Sequence, residues 1–131
     1  MLEPLARGLA AADATAVAAT LDDEVILRVA VHDRPFSGLE TAREILEVVL
    51  DGPLHDVEPV EQLTATGGAG VGVLTFAAGV VGYPGRADGL VVARPAASGR
   101  IADLTVFLRP LAALSALADE MGRRMGGPRP Q

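Results

Sequence analysis

The start of the chain carries apolar residues three or four positions apart, which is the spacing of one helical face. The residues that follow this spacing are Leu2, Leu5 and Leu9. We therefore expect a first helix that runs to about Ala12. Asp13 has a side chain suited to capping the next helix, which is predicted over residues 14–21.

Two later stretches also carry helical signals. Ser37 and Glu40 have the spacing of a capping box, and they predict a third helix that ends near Leu50. Pro110 occupies a position that is favoured as the first residue of a helix. The last helix, which it opens, presents one apolar face formed by Leu111, Leu114, Leu117, Ala118 and Met121.

Between these helices the pattern changes to an alternation with a period of two, which is typical of strands. The first strand is predicted over residues 25–31, with Val29 on one face and His32 continuing the other. Turns rich in glycine and proline separate the strands that follow. Those strands are predicted over residues 57–65, 71–81, 87–94 and 100–108. Helices followed by a run of adjacent strands indicate an α+β fold.

Residues 63–85 carry no charge and superficially suggest a membrane span. Six of the residues from Gly67 to Gly82 are glycines and Pro84 follows, so the segment is a poor helix and only moderately apolar. A buried strand with glycines at bends or bulges fits it better.

Glu3 interrupts any apolar run at the start, so no signal peptide is expected. We predict a soluble, cytoplasmic protein that does not bind a membrane.

The composition narrows the class of protein further. A length of 131 residues suits one compact domain, predicted over residues 1–125, and residues 126–131 are expected to form a disordered tail. The formal net charge is −6, and the eleven basic residues, all arginines, are scattered along the chain. A nucleic-acid partner is therefore not expected.

The residue types also bear on cofactors. The sequence has no cysteine, which excludes disulfides, thiol nucleophiles and thiolate metal sites. The two histidines, His32 and His55, do not have the i, i+4 spacing of a metal-binding helix. We expect neither a metal nor a cofactor.

Several short motifs occur in an order that points to one family. They are residues 21–25 (Leu-Asp-Asp-Glu-Val), residues 36–38 (Phe-Ser-Gly), and residues 99–101 (Gly-Arg-Ile), which run into Arg109-Pro110. In these motifs, and in its order of helices and strands from about Leu2 to Gly122, the chain resembles the SnoaL-like branch of the nuclear transport factor 2-like superfamily. The resemblance implies a cystatin-like cone, with a strongly curved, mostly antiparallel sheet wrapped around N-terminal helices and a C-terminal helix. It also implies a homodimer and a pocket for a small hydrophobic organic molecule.

The resemblance does not define a reaction, because this fold hosts enzymes, scaffolds and transport factors. Ketosteroid isomerases of the superfamily use an aspartate base, with a tyrosine and a protonated aspartate as the oxyanion hole. Carried over to this chain, the base falls on Val29 and the tyrosine near Leu5, and neither side chain can move a proton. The oxyanion aspartate matches Asp88. At most one of the three roles is therefore filled.

Asp88 and His32 are the candidate catalytic residues. If Asp88 faces an apolar pocket, loss of hydration favours its protonated form, which could act as an acid or hydrogen-bond donor. The alternative is an exposed turn residue paired with Arg86. His32 suits proton transfer because histidine titrates near neutral pH, but alternation along the strand places it opposite Val29. A turn after Val31 would end that alternation and bring His32 to the mouth of the pocket.

The residues expected to contact a ligand are Val29, Phe36, Tyr83 and Phe107. Three functions remain open. The first is an isomerase- or cyclase-like enzyme that acts on a polyketide- or steroid-like metabolite. The second is a non-catalytic binding or accessory protein, which the valine at the base position favours. The third is a structural dimerisation module with a filled pocket.

Overall fold

The computed structural model describes residues 1–126 of the chain, which form four helices and six strands. Their order and bounds are α1 (Leu2–Ala10), α2 (Ala14–Ala18), β1 (Leu21–Arg28), β2 (Phe36–Ser37), α3 (Leu39–Val49), β3 (Leu54–Thr64), β4 (Gly72–Val80), β5 (Tyr83–Pro95), β6 (Ile101–Arg109) and α4 (Leu111–Met125). The predicted tail begins at Gly126, and the rest of it, residues 127–131, lies outside the described part.

All the strands of this part join one open sheet in the order β2-β1-β6-β5-β4-β3. The β1 and β6 strands run parallel, and every other neighbouring pair is antiparallel. The helices contribute buried side chains to the same core as the sheet. The predicted α+β class with a mostly antiparallel sheet is therefore confirmed.

Alternation along the central strands sends every second side chain toward the helices. Leu74 and Phe76 of β4, Val91 of β5 and Leu104 of β6 belong to this inner face, and each is at most 4 % exposed. The helices cover them with apolar side chains that include Leu5, Leu9, Val17, Ala42 and Leu46. Full burial of one large aliphatic side chain stabilises the fold by about 1.5–3 kcal/mol, so this inner face carries much of the stability.

The β1 strand differs from its prediction at both ends. It begins earlier, at Leu21, and α2 is correspondingly shorter. Leu21 is fully buried and pairs with Ile101 of β6, a contact between distant parts of the chain that local periodicity does not reveal. The strand also ends earlier, at Arg28, because the chain turns at residues 30–31. The alternation of faces therefore stops before Val29.

The predicted capping role of Ser37 is wrong. Ser37 lies in β2 and pairs with Ile26 of β1, so its position is set by the sheet. Gly38 is the N-cap residue of α3 and has a φ of 96°, a conformation that strains residues with a side chain. Pro110 likewise precedes α4 as its N-cap residue and is not the first helical residue.

The C-terminal end of α4 is tied to the connection between α3 and β3 through Arg124. Its Nη1 atom donates a hydrogen bond of 2.8 Å to the main-chain carbonyl oxygen of Asp51. Its Nε atom donates a bond of 2.9 Å to Glu120. Arg123 donates to the same carboxylate, at 2.6 Å from Nη2, and this bond stays within α4. Arg124 therefore links α4 to the rest of the fold, whereas Arg123 does not.

Hydrogen bonds from Arg123 and then from Arg124 lower the pKa of Glu120. A carboxyl whose pKa is lower in the folded than in the unfolded chain stabilises the fold at pH values above its unfolded-state pKa. That stabilisation is lost as the pH falls through the lowered, folded-state pKa. The bonds that Glu120 accepts from Arg123 and Arg124 within α4 are therefore lost in acid, whereas the bond from Arg124 to the Asp51 carbonyl oxygen does not depend on this carboxyl.

We predict that Arg124→Ala loosens the end of α4. Amide hydrogen exchange of residues 118–125 should become about fivefold faster, since one net hydrogen bond contributes about 1 kcal/mol. The matched control is Arg123→Ala, which removes a bond to Glu120 and leaves the bond to Asp51 intact. Equal acceleration in both variants would contradict the anchoring role of Arg124.

Candidate functional site

A cavity of about 360 Å³ lies between the inner face of the sheet and the helices. Each of the ten helices and strands described above contributes at least one side chain to its wall. The volume falls in the range of sites that hold small organic molecules. Across residues 1–126, the wall contains no carboxyl, hydroxyl or amide side chain, and its one nitrogen-bearing side chain is that of His32.

The interior and the mouth of this cavity differ in exposure. Interior wall residues such as Leu9, Val17 and Phe76 are at most 9 % exposed. The most exposed wall residues lie in two places, the turn that ends at His32 and the end of α4, where Met125 is 46 % exposed. We therefore assign the mouth to the gap between this turn and the end of α4.

Val29, His32 and Phe36 all line the cavity on the side of the mouth. They do so together because the regular strand ends at Arg28 and the turn at residues 30–31 brings successive side chains to one place. The turn, and not uninterrupted alternation along the strand, therefore sets the position of His32. Its ring meets the ring of Phe36 nearly edge-on, with the centroids 5.9 Å apart and the planes at 76°.

The end of α4 is a part of the site that the sequence did not single out. Met121 and Met125 line the cavity beside the mouth. The only sequence signal was the placement of Met121 on the apolar face of the last predicted helix. Such a face is also what ordinary core packing requires, so the pattern did not identify the residue as part of a site.

Phe76 forms part of the interior wall and lies directly on Gly89 of the neighbouring strand. The two residues are register partners in β4 and β5. A Cβ atom at position 89 would overlap the Phe76 ring. The glycine therefore allows the ring to lie close to the backbone of the sheet, and the space in front of the ring belongs to the cavity.

Asp88 lies on the outer face of the sheet, on the side opposite the cavity. Alternation along β5 buries its neighbour Ala87 and leaves the Asp88 side chain 64 % exposed. Its carboxylate accepts a hydrogen bond of 3.2 Å from Arg109 on β6. The expected partner, Arg86, instead donates to Glu58. The structure thus corrects the expectation of a desolvated Asp88 facing the pocket, because strand parity directs this residue outward.

The structure also corrects the expected pocket positions of Tyr83 and Phe107. Tyr83 begins β5 instead of sitting in a turn, and its half-buried ring packs against the core outside the cavity wall. Phe107 lies on the outer face, opposite Leu90, and is 53 % exposed. The parity of β6 directs its neighbours Val106 and Leu108 into the cavity instead.

Polar groups elsewhere have structural partners. The Nδ1 atom of His55 lies 2.9 Å from the carbonyl oxygen of Gly52, so this ring braces the connection between α3 and β3. Hydrogen bonds from Ser98 and from the main chain of Glu24 lower the pKa of Asp22. No three histidine, aspartate or glutamate side chains of residues 1–126 are placed to hold a metal. No helix within these residues is long and apolar enough to cross a membrane.

The fold and the cavity define a small α+β protein with an apolar cavity, and comparison with solved structures identifies its relatives. A steroid delta-isomerase from Pseudomonas aeruginosa matches with a TM-score of 0.79 and 30 % sequence identity, over 91 % of this chain and 84 % of that chain. The chain belongs to the SnoaL-like/nuclear transport factor 2-like superfamily, as its sequence motifs predicted.

Two further structures show the same fold. A protein with a cystatin-like fold from Silicibacter pomeroyi matches with a TM-score of 0.83 and 20 % identity, over 94 % of this chain and 83 % of that one. SalBIII, an epoxide hydrolase/cyclase-like enzyme with a role in pyran ring formation in the polyether salinomycin, matches with a TM-score of 0.64 and 17 % identity, over 81 % and 85 % of the two chains. At these identities the similarity establishes the fold alone. No family model and no curated protein matches the sequence.

Proposed function

We propose that the chain binds a small, largely apolar organic molecule in its cavity, without the acid/base pair of a ketosteroid isomerase. The observation that carries this proposal is the composition of the wall. Its described side chains are aliphatic, aromatic or thioether, with His32 as the exception. Removal of apolar surface from water contributes about 25 cal/mol per Å², so an apolar molecule needs few polar partners to bind here.

The three positions to which the resemblance assigns proton-transfer roles support the same proposal. Val29 lines the cavity where the base would stand, and it cannot accept a proton. Leu5, near the position of the tyrosine, is fully buried in the core. Asp88 lies on the other side of the sheet. An open chamber of about 360 Å³ also argues for a ligand over a purely structural module, whose interior would be filled.

A second candidate is an isomerase- or cyclase-like enzyme that acts on a polyketide- or steroid-like metabolite. The identity of 30 % with a steroid delta-isomerase favours it, as does the place of His32 at the cavity mouth. In such an enzyme His32 would take up and return the proton, since no carboxyl side chain lines the described wall.

We also propose that two copies associate through the outer face of the sheet. The centre of this face is apolar, with Phe107 53 % exposed between partly exposed Leu90 and Thr105. Ion pairs surround this centre. They are Arg28–Asp103, Arg86–Glu58 and Arg109–Asp88. Because the face carries charges of both signs, a second copy related by a two-fold axis can place unlike charges opposite each other.

For the binding proposal, we predict that Val29→Phe lowers the affinity for biphenyl at least about fivefold. The added ring occupies space that the ligand needs, and overpacking of this kind costs about 1–3 kcal/mol. Equilibrium dialysis measures the affinity. The control is Val60→Phe, the same change at a position that is 64 % exposed on β3. If Val29→Phe bound biphenyl as tightly as Val60→Phe, the cavity would not be the binding site.

We predict that the wild-type protein does not convert a β,γ-unsaturated 3-ketosteroid into its conjugated isomer above the uncatalysed rate. Two of the three isomerase roles have no proton-transferring residue, and the third lies outside the cavity. The absorbance of the conjugated ketone reports the reaction. Conversion that persists in Asp88→Asn and disappears in His32→Gln would contradict the non-catalytic proposal and establish the second candidate.

For the assembly proposal, we predict that Phe107→Glu converts a dimer into a monomer, because it buries two unpaired carboxylates at the centre of the interface. Sedimentation velocity measures the mass. Leu111→Glu is the control, since Leu111 is 76 % exposed at the start of α4 and not in the sheet. A monomeric wild-type protein, or a dimer that survives Phe107→Glu, would count against the outer face as the interface.

A further inference from the structure

The described side chains of the cavity wall that can form hydrogen bonds lie at its mouth. His32 lies in the partly exposed turn at residues 29–32, and it is the described wall residue whose side chain carries a nitrogen or oxygen atom. The thioether sulfurs of Met121 and Met125 are weak acceptors, and they also lie beside the mouth. The buried part of the wall offers only aliphatic and aromatic side chains.

The ring of His32 is available for a ligand. Within residues 1–126, no side chain or main-chain group hydrogen-bonds its ring nitrogens, whereas His55 is bonded to the carbonyl oxygen of Gly52. Phe36 packs against the edge or face of the His32 ring and limits its orientation without using a nitrogen. The imidazole can therefore direct a donor or an acceptor toward a molecule in the cavity.

The interior places the opposite demand on a ligand. A hydroxyl or carbonyl group moved from water into this part of the cavity would lose its hydration and find no side-chain partner. Residues such as Leu9 and Val17 line that part and are at most 9 % exposed, so water has little access there. A ligand that fits both ends is polar at one end and apolar at the other.

The charge of the chain disfavours an anionic ligand. The chain has a formal net charge of −6, which opposes the approach of an anion. The imidazole ring of His32 can bond to a hydroxyl or carbonyl group that carries no net charge.

We propose that the ligand is a neutral molecule with an apolar body and a single hydroxyl or carbonyl group, which bonds to His32 while the body fills the interior. This inference rests on the proposed binding function and adds the class of ligand and its orientation. It requires no bond to form or break.

Three probes with one framework test it: biphenyl has no polar group, 4-phenylphenol has one, and 4,4′-biphenol has one at each end. Equilibrium dialysis of the wild-type protein should show 4-phenylphenol binding about fivefold more tightly than either of the others. Its advantage over biphenyl comes from one net hydrogen bond to His32. Its advantage over 4,4′-biphenol arises because the second hydroxyl of that probe would be buried without a partner. In His32→Leu the advantage of 4-phenylphenol over biphenyl should disappear, whereas His32→Gln, whose amide also donates and accepts, should retain most of it.

The outcomes separate this inference from the function on which it rests. Failure of all three probes to bind would contradict the binding function itself. Binding of biphenyl and 4-phenylphenol with equal affinity to the wild-type protein would overturn the role of His32 and leave the binding function standing. Tighter binding of 4,4′-biphenol than of 4-phenylphenol would reveal a polar partner in the interior, which also overturns the inference. The ranking in the wild-type protein decides the matter even if a His32 variant does not fold.

Discussion

Burial of one face of the six-stranded sheet against the helices is the constraint on which both the fold and the cavity depend. It sorts neighbouring residues of each strand to opposite sides, so that Val106 and Leu108 enter the cavity while Phe107 lies outside. Within residues 1–126 no polar or charged residue is buried. A charge placed in such an interior would cost several kcal/mol unless it were paired. The apolar side chains that make the core stable therefore also leave the cavity wall with few groups that could take part in a reaction.

Apart from the two-residue strand β2, the order and type of the helices and strands could be predicted from periodicity, because the amphipathic patterns of α1, α3 and β4 are local. The errors fall where a distant partner decides. The start of β1 is set by the pairing of Leu21 with Ile101, and no window of neighbouring residues contains that contact. Ser37 has the spacing of a capping residue, yet its pairing with Ile26 places it in β2. Local preference yields in both cases to the sheet.

The site could be predicted only in part, for a related physical reason. A shift of one residue in a strand exchanges its two faces, so an alignment that places Asp88 correctly to within one position still cannot say that it faces inward. Its neighbour Ala87 is the buried residue. His32 reaches the mouth because the strand ends at Arg28, and strand ends are less strongly encoded than strand centres. The resemblance to a family carries the fold across more securely than it carries the direction of individual side chains.

The contact between Phe76 and Gly89 provides a simple evolutionary route to a change in ligand selectivity. Any side chain at position 89 must displace the ring, and the sheet behind it leaves the cavity as the direction of displacement. Exchange of Gly89 for alanine, which needs a single nucleotide change, would shorten the cavity without substituting any residue that lines it. Two related proteins could thus have identical cavity-lining residues and still bind different ligands, because the residue that sets the difference, at position 89, does not itself line the cavity.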